Sequence, residues 1–242
     1  MIIAKLMNLQ DSSPMNSTNY VLCRKSLELK DKIISYSLNQ FIEETAVSKS
    51  ALMNFLKLIN IDKFHHYKRI LHDEYIRAHA EINKLKQENN FNLSPLEKQI
   101  AQEIIKSKRI VLVGDGSRFS LMYYQKMFIY LGINFEIPLY FGLEEELFSS
   151  REVKNTDLII MTQLYETYEG MCYNRANFYK DVNLLNLQTN AKVLFIGLES
   201  NNCPVNFNYV INESSLNNKL DKLIQLFDHL LYYCANHIKQ DT

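Results

Sequence analysis

The chain has 242 residues with 27 Lys and Arg against 27 Asp and Glu, 47% hydrophobic and 22% charged side chains. That balance excludes a disordered or low-complexity chain, and also one that adheres to nucleic acid through bulk charge. At roughly 150 residues per domain, the length predicts two modest domains better than one large one.

The first 113 residues contain no glycine; the six glycines are Gly114, Gly116, Gly132, Gly142, Gly170 and Gly197. A segment without glycine has few left-handed turn positions and reads as helical, so tight backbone turns are expected only in the middle of the chain. The cysteines Cys23, Cys172, Cys203 and Cys234 are isolated and form no C-x-x-C pair. Zinc ribbons and disulfide frameworks are therefore not expected, and the natural compartment is the reducing cytoplasm. No run approaches 18 apolar residues and the start carries no basic region with a cleavage site, so neither a membrane span nor a signal peptide is expected.

Residues 1 to 80 hold 11 Lys and Arg against 8 Asp and Glu, and four of the six histidines. This slightly basic segment contains two adjacent helical stripes. Leu38, Phe41 and Ile42 recur at i, i+3, i+4; Leu52, Phe55, Leu56 and Ile59 recur at i, i+3, i+4, i+7. The short connection Ala46-Val47-Ser48 places Ser48 as an N-cap. Short helix, tight turn and second helix is the spacing of a DNA-reading helix-turn-helix. With the apolar stripe inward, Ser50, Met53, Asn54 and Lys57 face outward, and Lys49 starts the helix. Asn can pair two hydrogen bonds with an adenine edge, Lys reaches guanine or phosphate, and Ser suits phosphates at the helix start. The spacing alone fits a solvated helix in an all-helical domain equally well, and Glu43 and Glu44 oppose DNA.

Glu81 to Asn90 is polar and reads as the start of a linker over 81–93. Ser94-Pro95-Leu96-Glu97 then forms a capping box with Pro at the first helical position, which opens a second domain over 94–242. Beyond it, the β-rich runs Ile110–Val113, Ile133–Ile137, Leu158–Met161, Val193–Ile196 and Tyr209–Ile211 alternate with segments of helical length. Continuous apolar runs of this kind suit strands covered on both faces. The prediction is a doubly wound five-stranded parallel sheet following an all-helical domain of residues 1–80. Apolar residues from Leu220 to Cys234 predict one long amphipathic helix over 216–238.

Val113-Gly-Asp-Gly-Ser-Arg118 directly follows the first strand. Its glycines allow backbone N–H groups to approach an anion, Ser117 can cap the next helix and bind a phosphate, and Arg118 adds charge. The spacing of a dinucleotide site is absent. A plain strand-to-helix turn would use glycine in the same way, and Asp115 in the loop is consistent with that. The third strand leads into Met161-Thr-Gln-Leu-Tyr-Glu-Thr167, and neighbouring strand ends at a switch point form the ligand crevice of such sheets. Adjacent His65 and His66 would face different sides of a helix, so no metal site is expected, and no cofactor is implied. No Ser-His-Asp or Cys-His set emerges from the spacing.

Asn16 to Leu22, Ser37 to Lys57 and Asp62 to Lys68, in that order and spacing, resemble the N-terminal domain of RpiR-family bacterial transcription regulators. Asn54 stands where that family usually carries Arg, Leu58 where it often carries a basic residue, and Asn60-Ile61 where it has Gly-Phe. Gly-x-Gly-Ser after the first strand, with a hydroxyl-bearing loop after the third, resembles the sugar isomerase (SIS) domain that follows in these regulators. In the family's Ser-x-Ser-Gly-x-Thr signature, Thr162, Leu164 and Tyr165 replace the two Ser and the Gly, leaving Glu166-Thr167. The resemblance implies a non-enzymatic regulator that binds a double-stranded DNA operator through Ser48, Lys49, Ser50, Asn54 and Lys57. It further implies a homodimer or higher oligomer, and a sugar-phosphate effector held by Gly114, Gly116, Ser117, Arg118, Thr162, Gln163 and Thr167. The alternatives are a sugar-phosphate isomerase and a regulator whose SIS domain only dimerises.

Overall fold

A computed structural model describes residues 1–88, 91–114, 118–138, 153–164, 190–197 and 205–238. The chain divides into two compact units, Met1–Gln87 and Glu88–Thr242.

The first unit is helical: α1 (Ile2–Asp11), α2 (Thr18–Glu28), a 3-10 turn (Ile33–Ser35), α3 (Leu38–Thr45), α4 (Lys49–Leu58) and α5 (Phe64–Glu88). Polar side chains define its helix starts. Ser17, Ser37 and Ser48 each accept a backbone N–H three residues on, and Ser37 completes a capping box with Gln40. The start of α1 is held from outside its own segment, because the buried Glu74 of α5 accepts the N–H of Ile2 at 2.5 Å and of Ile3 at 3.1 Å. A carboxylate there satisfies orphan donors and complements the helix dipole. Phe41, Leu52, Phe55, Leu56, Tyr67 and Leu71 are fully buried or nearly so and form the core under the α3–α4 pair.

Two sequence expectations change. Residues 81–88, read as the opening of a linker, are the last two turns of α5, and Ile82 within them is fully buried. Left-handed positions also occur without glycine: Ala46 has φ 54° and Asn60 φ 61°. Asn60 ends α4 in a Schellman pattern, with the Ile61 N–H on the Leu56 carbonyl at 2.8 Å. Asn tolerates this conformation through its short polar side chain, whereas Ala46 has no such compensation.

The second unit comprises α6 (Pro95–Lys106), β1 (Arg109–Gly114), α7 (Arg118–Tyr130), β2 (Phe135–Glu136), β3 (Asp157–Gln163), β4 (Lys192–Gly197), β5 (Phe207–Val210) and α8 (Leu216–His237). Five parallel strands run in the order β2-β1-β3-β4-β5, as the alternation predicts. The second strand pairs over two residues, and Ile133 before it lies in the Schellman turn at Gly132, whose φ is 88°. The paired residues of β3 are buried through Thr162 and those of β4 from Val193, which explains why both runs are apolar without alternation.

Helices α6, α7 and α8 pack together through polar pins set in apolar surroundings. The expected capping box at Ser94 forms, with Glu97 Oε2 accepting the Ser94 N–H at 2.7 Å. Glu97 Oε1 meanwhile meets His229 Nδ1 of α8 at 3.0 Å and accepts from the Tyr209 hydroxyl of β5 at 3.4 Å. Burial pushes the Glu97 carboxyl up, but the Ser94 and His229 interactions outweigh it and hold it below the usual carboxylate range. Tyr124 of α7 donates to Asp228 of α8 at 2.7 Å, and Phe128, Phe135 and Phe227 interlock beside it.

Two outcomes follow for the first unit. Replacing Ala46 by Gly removes the left-handed penalty, of order 1 kcal/mol, and is expected to raise the urea midpoint, whereas Ala46→Val lowers it. Lys30 is buried, donates to the Leu27 carbonyl at 3.2 Å and lies 5.7 Å from the Tyr75 ring. Burial pulls its ammonium down to about 8 from the ordinary 10.5, against the raising effect of Asp31 and Glu28. Between those two pH values the unfolded chain holds the proton more tightly, so stability rises with pH across that window and the whole penalty is present below it. Lys30→Met is therefore expected to stabilise the full-length chain by about 1–3 kcal/mol at pH 7, with an advantage that shrinks by pH 10.5 in urea titrations.

Candidate functional site

The first candidate surface is built by α3, the three-residue turn and α4. Thr45 closes α3 by returning its hydroxyl to the Phe41 carbonyl at 2.7 Å, Ala46 turns the chain, and Ser48 restarts it by accepting the Ala51 N–H at 3.1 Å. The inner face is fixed by rings. Phe41 lies 5.2 Å from Phe64, Phe64 lies 6.2 Å from Tyr67, and Phe55 meets Tyr67 edge-on at 6.2 Å.

With that face buried, Ser48, Lys49, Ser50, Asn54 and Lys57 are all exposed; the spacing places Ser50, Asn54 and Lys57 outward, and Met53, expected outward with them, is half-buried. The Ser48 and Ser50 hydroxyls are 3.0 Å apart. Lys5 donates to the Ile59 carbonyl at 2.9 Å, which puts a positive charge at the negative end of α4.

Of the acidic pair upstream, Glu44 is partly neutralised within the unit, while Glu43 stays exposed. Glu44 is bound at 3.3 Å by Lys25, which also meets Glu28 at 3.4 Å. Burial works against the Lys25 charge, but the two carboxylates prevail and raise its pKa above the ordinary lysine value. Ser35, Tyr36, Gln40, Glu43 and Glu44 line a shallow open pocket on this unit. The sequence reading missed one feature of α4: Leu58 is 56% exposed. Its position one turn after Asn54 was the available signal, since i and i+4 share a helix face.

The second candidate surface is the carboxyl edge of the sheet. The strand order changes direction between β1 and β3, and there Gly114 pairs in register with Thr162. One strand further, Gln163 pairs with Gly197. Thr162 and Leu164 are buried, while Gln163 is partly exposed. Arg118 is the first residue of α7; Gly116, Ser117 and Thr167 lie outside the described residues. A Cβ at Gly197 would run into the backbone carbonyl of Gln163, so glycine there lets the strand ends close up. Gly197→Ala is expected to cost about 1–3 kcal/mol, measured as lost amide protection in β3 and β4 with that of α3 and α4 unchanged.

Among the described residues there is no group of three or more His, Cys, Asp or Glu placed to hold a metal ion. Nor is any described helix long and apolar enough to cross a membrane. Cys23 and Cys234 are buried thiols whose pKa burial raises, so neither is an activated nucleophile.

No family model matches the sequence, and no curated protein matches it. Solved structures similar in backbone path include the following three. The sugar isomerase domain of an RpiR transcription factor from Sphaerobacter thermophilus has a TM-score of 0.47 at 14% identity, covering 68% of this chain and 88% of that one. The Vibrio vulnificus NanR protein complexed with ManNAc-6P scores 0.43 at 11% identity, covering 96% and 90%. A protein of Clostridium novyi NT, named as a tagatose-6-phosphate ketose/aldose isomerase, scores 0.42 at 18% identity, covering 77% and 46%.

Proposed function

We propose that this chain is a DNA-binding transcription regulator whose α/β unit responds to a small phosphorylated sugar. One observation carries the reading: α4 follows α3 across a three-residue turn, buries its apolar face and leaves Lys49, Ser50, Asn54 and Lys57 exposed along one side. That arrangement fits a helix laid in a major groove, with the polar stripe on base edges and the flanking lysines and Ser48 on phosphates. The resemblance of both halves to an RpiR regulator with a SIS domain supports the same reading.

For the second unit, the supporting feature is the reversal of strand order between β1 and β3, at Gly114 and Thr162, where sheets of this type bind ligands. The proposed contacts are Gly114, Gly116, Ser117, Arg118, Thr162, Gln163 and Thr167. The effector acts by differential affinity, favouring one arrangement of the reading heads in a homodimer over another. Two half-sites about one helical turn apart suit a two-fold dimer. A second reading, in which the α/β unit only dimerises, is favoured by the burial of Thr162 and Leu164 at the end of β3.

Fluorescence anisotropy of the full chain on duplexes from the region upstream of its own gene tests the first part. Affinity is expected to fall steeply as salt rises, and the Lys49→Ala, Lys57→Ala double variant to weaken binding by about tenfold or more at low salt. Absence of binding at low salt overturns the regulator reading. Thermal shift against a panel of sugar phosphates tests the second: a shift lost in Ser117→Ala supports a sensor, turnover supports an isomerase, and no response supports the dimerisation platform.

A further inference from the structure

We propose that α4 reads an A·T-rich half-site, with Asn54 on an adenine edge and Leu58 on the C5-methyl of a neighbouring thymine. The inference rests on the reading of the first unit as a DNA-binding module and assigns its base preference.

No arginine occurs between Leu38 and Leu58, so the commonest bidentate reader of guanine is absent from both helices. The two lysines stand at opposite ends of α4: Lys49 is its first residue and Lys57 lies in its last turn. Lysine is a flexible point charge without arginine's planar fork, so both suit phosphates better than the paired acceptors of guanine.

Between them, at the centre of the exposed face, are Ser50 and Asn54, both exposed. The carboxamide of Asn54 offers a donor and an acceptor side by side, which matches the acceptor N7 and donor N6 of adenine. Leu58 follows on the same face one turn later, and its side chain makes no hydrogen bond, yet it is 56% exposed. The separation of i and i+4 is about 6 Å along the axis, close to two base-pair steps. The one apolar feature a base pair presents in the major groove is the thymine methyl, so an apolar side chain on a reading face gains specificity only there. Against a G·C pair the same leucine would cover the cytosine amino group without satisfying it.

The test starts with full-length protein and a randomised double-stranded DNA pool, selected at low salt and sequenced. Recovered half-sites are expected to hold adjacent A·T pairs. In such a duplex, deoxyuridine in place of the contacted thymine is expected to weaken the parent protein about three- to tenfold and to leave Leu58→Ala unaffected. The 7-deaza analogue of the contacted adenine is expected to weaken the parent about tenfold and to leave Asn54→Ala unaffected. Lys57→Ala weakens all duplexes alike and lowers the salt slope by about one. Asn54 and Leu58 are exposed, and unchanged amide protection of α4 verifies that their variants fold. G·C pairs at the centre of the selected half-sites, or equal sensitivity to deoxyuridine in the parent and Leu58→Ala, overturns this inference while leaving DNA binding standing. Failure to retain any duplex overturns the regulator reading and this inference together.

Discussion

Everything α4 presents to a partner depends on a short stack of rings behind it. Phe41 from α3, Phe55 from α4, and Phe64 and Tyr67 from α5 meet at centroid distances of 5.2 to 6.2 Å, and all four are buried. Each helix of the pair is short, eight and ten residues, and would be marginal alone in water. Aromatic burial supplies the missing stability, and edge-on or tilted ring pairs have narrow geometric preferences. The stack therefore sets the rotation of α4 about its axis as well as its attachment. A turn of that helix by one residue would carry Asn54 off the exposed face and bring Phe55 into water.

The second unit solves a different problem, that of holding parallel strands whose neighbours come from distant parts of the chain. At the amino-terminal side of the sheet, Arg109 and Asp157 are both buried, pair at 2.7 Å and stand opposite each other in register. A buried pair of this kind adds little net stability over apolar residues but penalises wrong pairings, because a slip by one residue would separate two buried charges. At the other side, β1 ends on Gly114 and β4 on Gly197, so neither adds a side chain beside β3. The sheet is thus registered at one end, and at the other, where ligands of such sheets approach, two glycines flank Thr162 and Gln163.

Much of this was legible along the chain because it is local. Serines at helix starts, the Ser94–Glu97 capping box, and continuous apolar runs act within a few residues, so their physics can be read without knowing the fold. The outward set Lys49, Ser50, Asn54 and Lys57 follows from 3.6 residues per turn once one face is known to be apolar. The zero net charge concealed a slightly basic first part for the same reason that totals conceal patterns. Scarcity of glycine proved a weaker guide than expected, since Ala46 and Asn60 take left-handed conformations that glycine usually fills. The surrounding core over-determines those turns and absorbs the local cost.

Sequence by itself determined the two-part organisation, the helix-turn-helix pair, the five strands and the stripe of α4 that faces outward, because each is a matter of periodicity and capping. Only the tertiary structure decided the rest. Lys25 lies near Glu44, Glu74 lies at the start of α1, and His229 and Tyr209 lie on Glu97, all across separations that no periodicity encodes. It also decided that Met53, which the spacing places outward, is half-buried. An apolar side chain's position along a helix names its face, but only the packed neighbours decide which faces find partners.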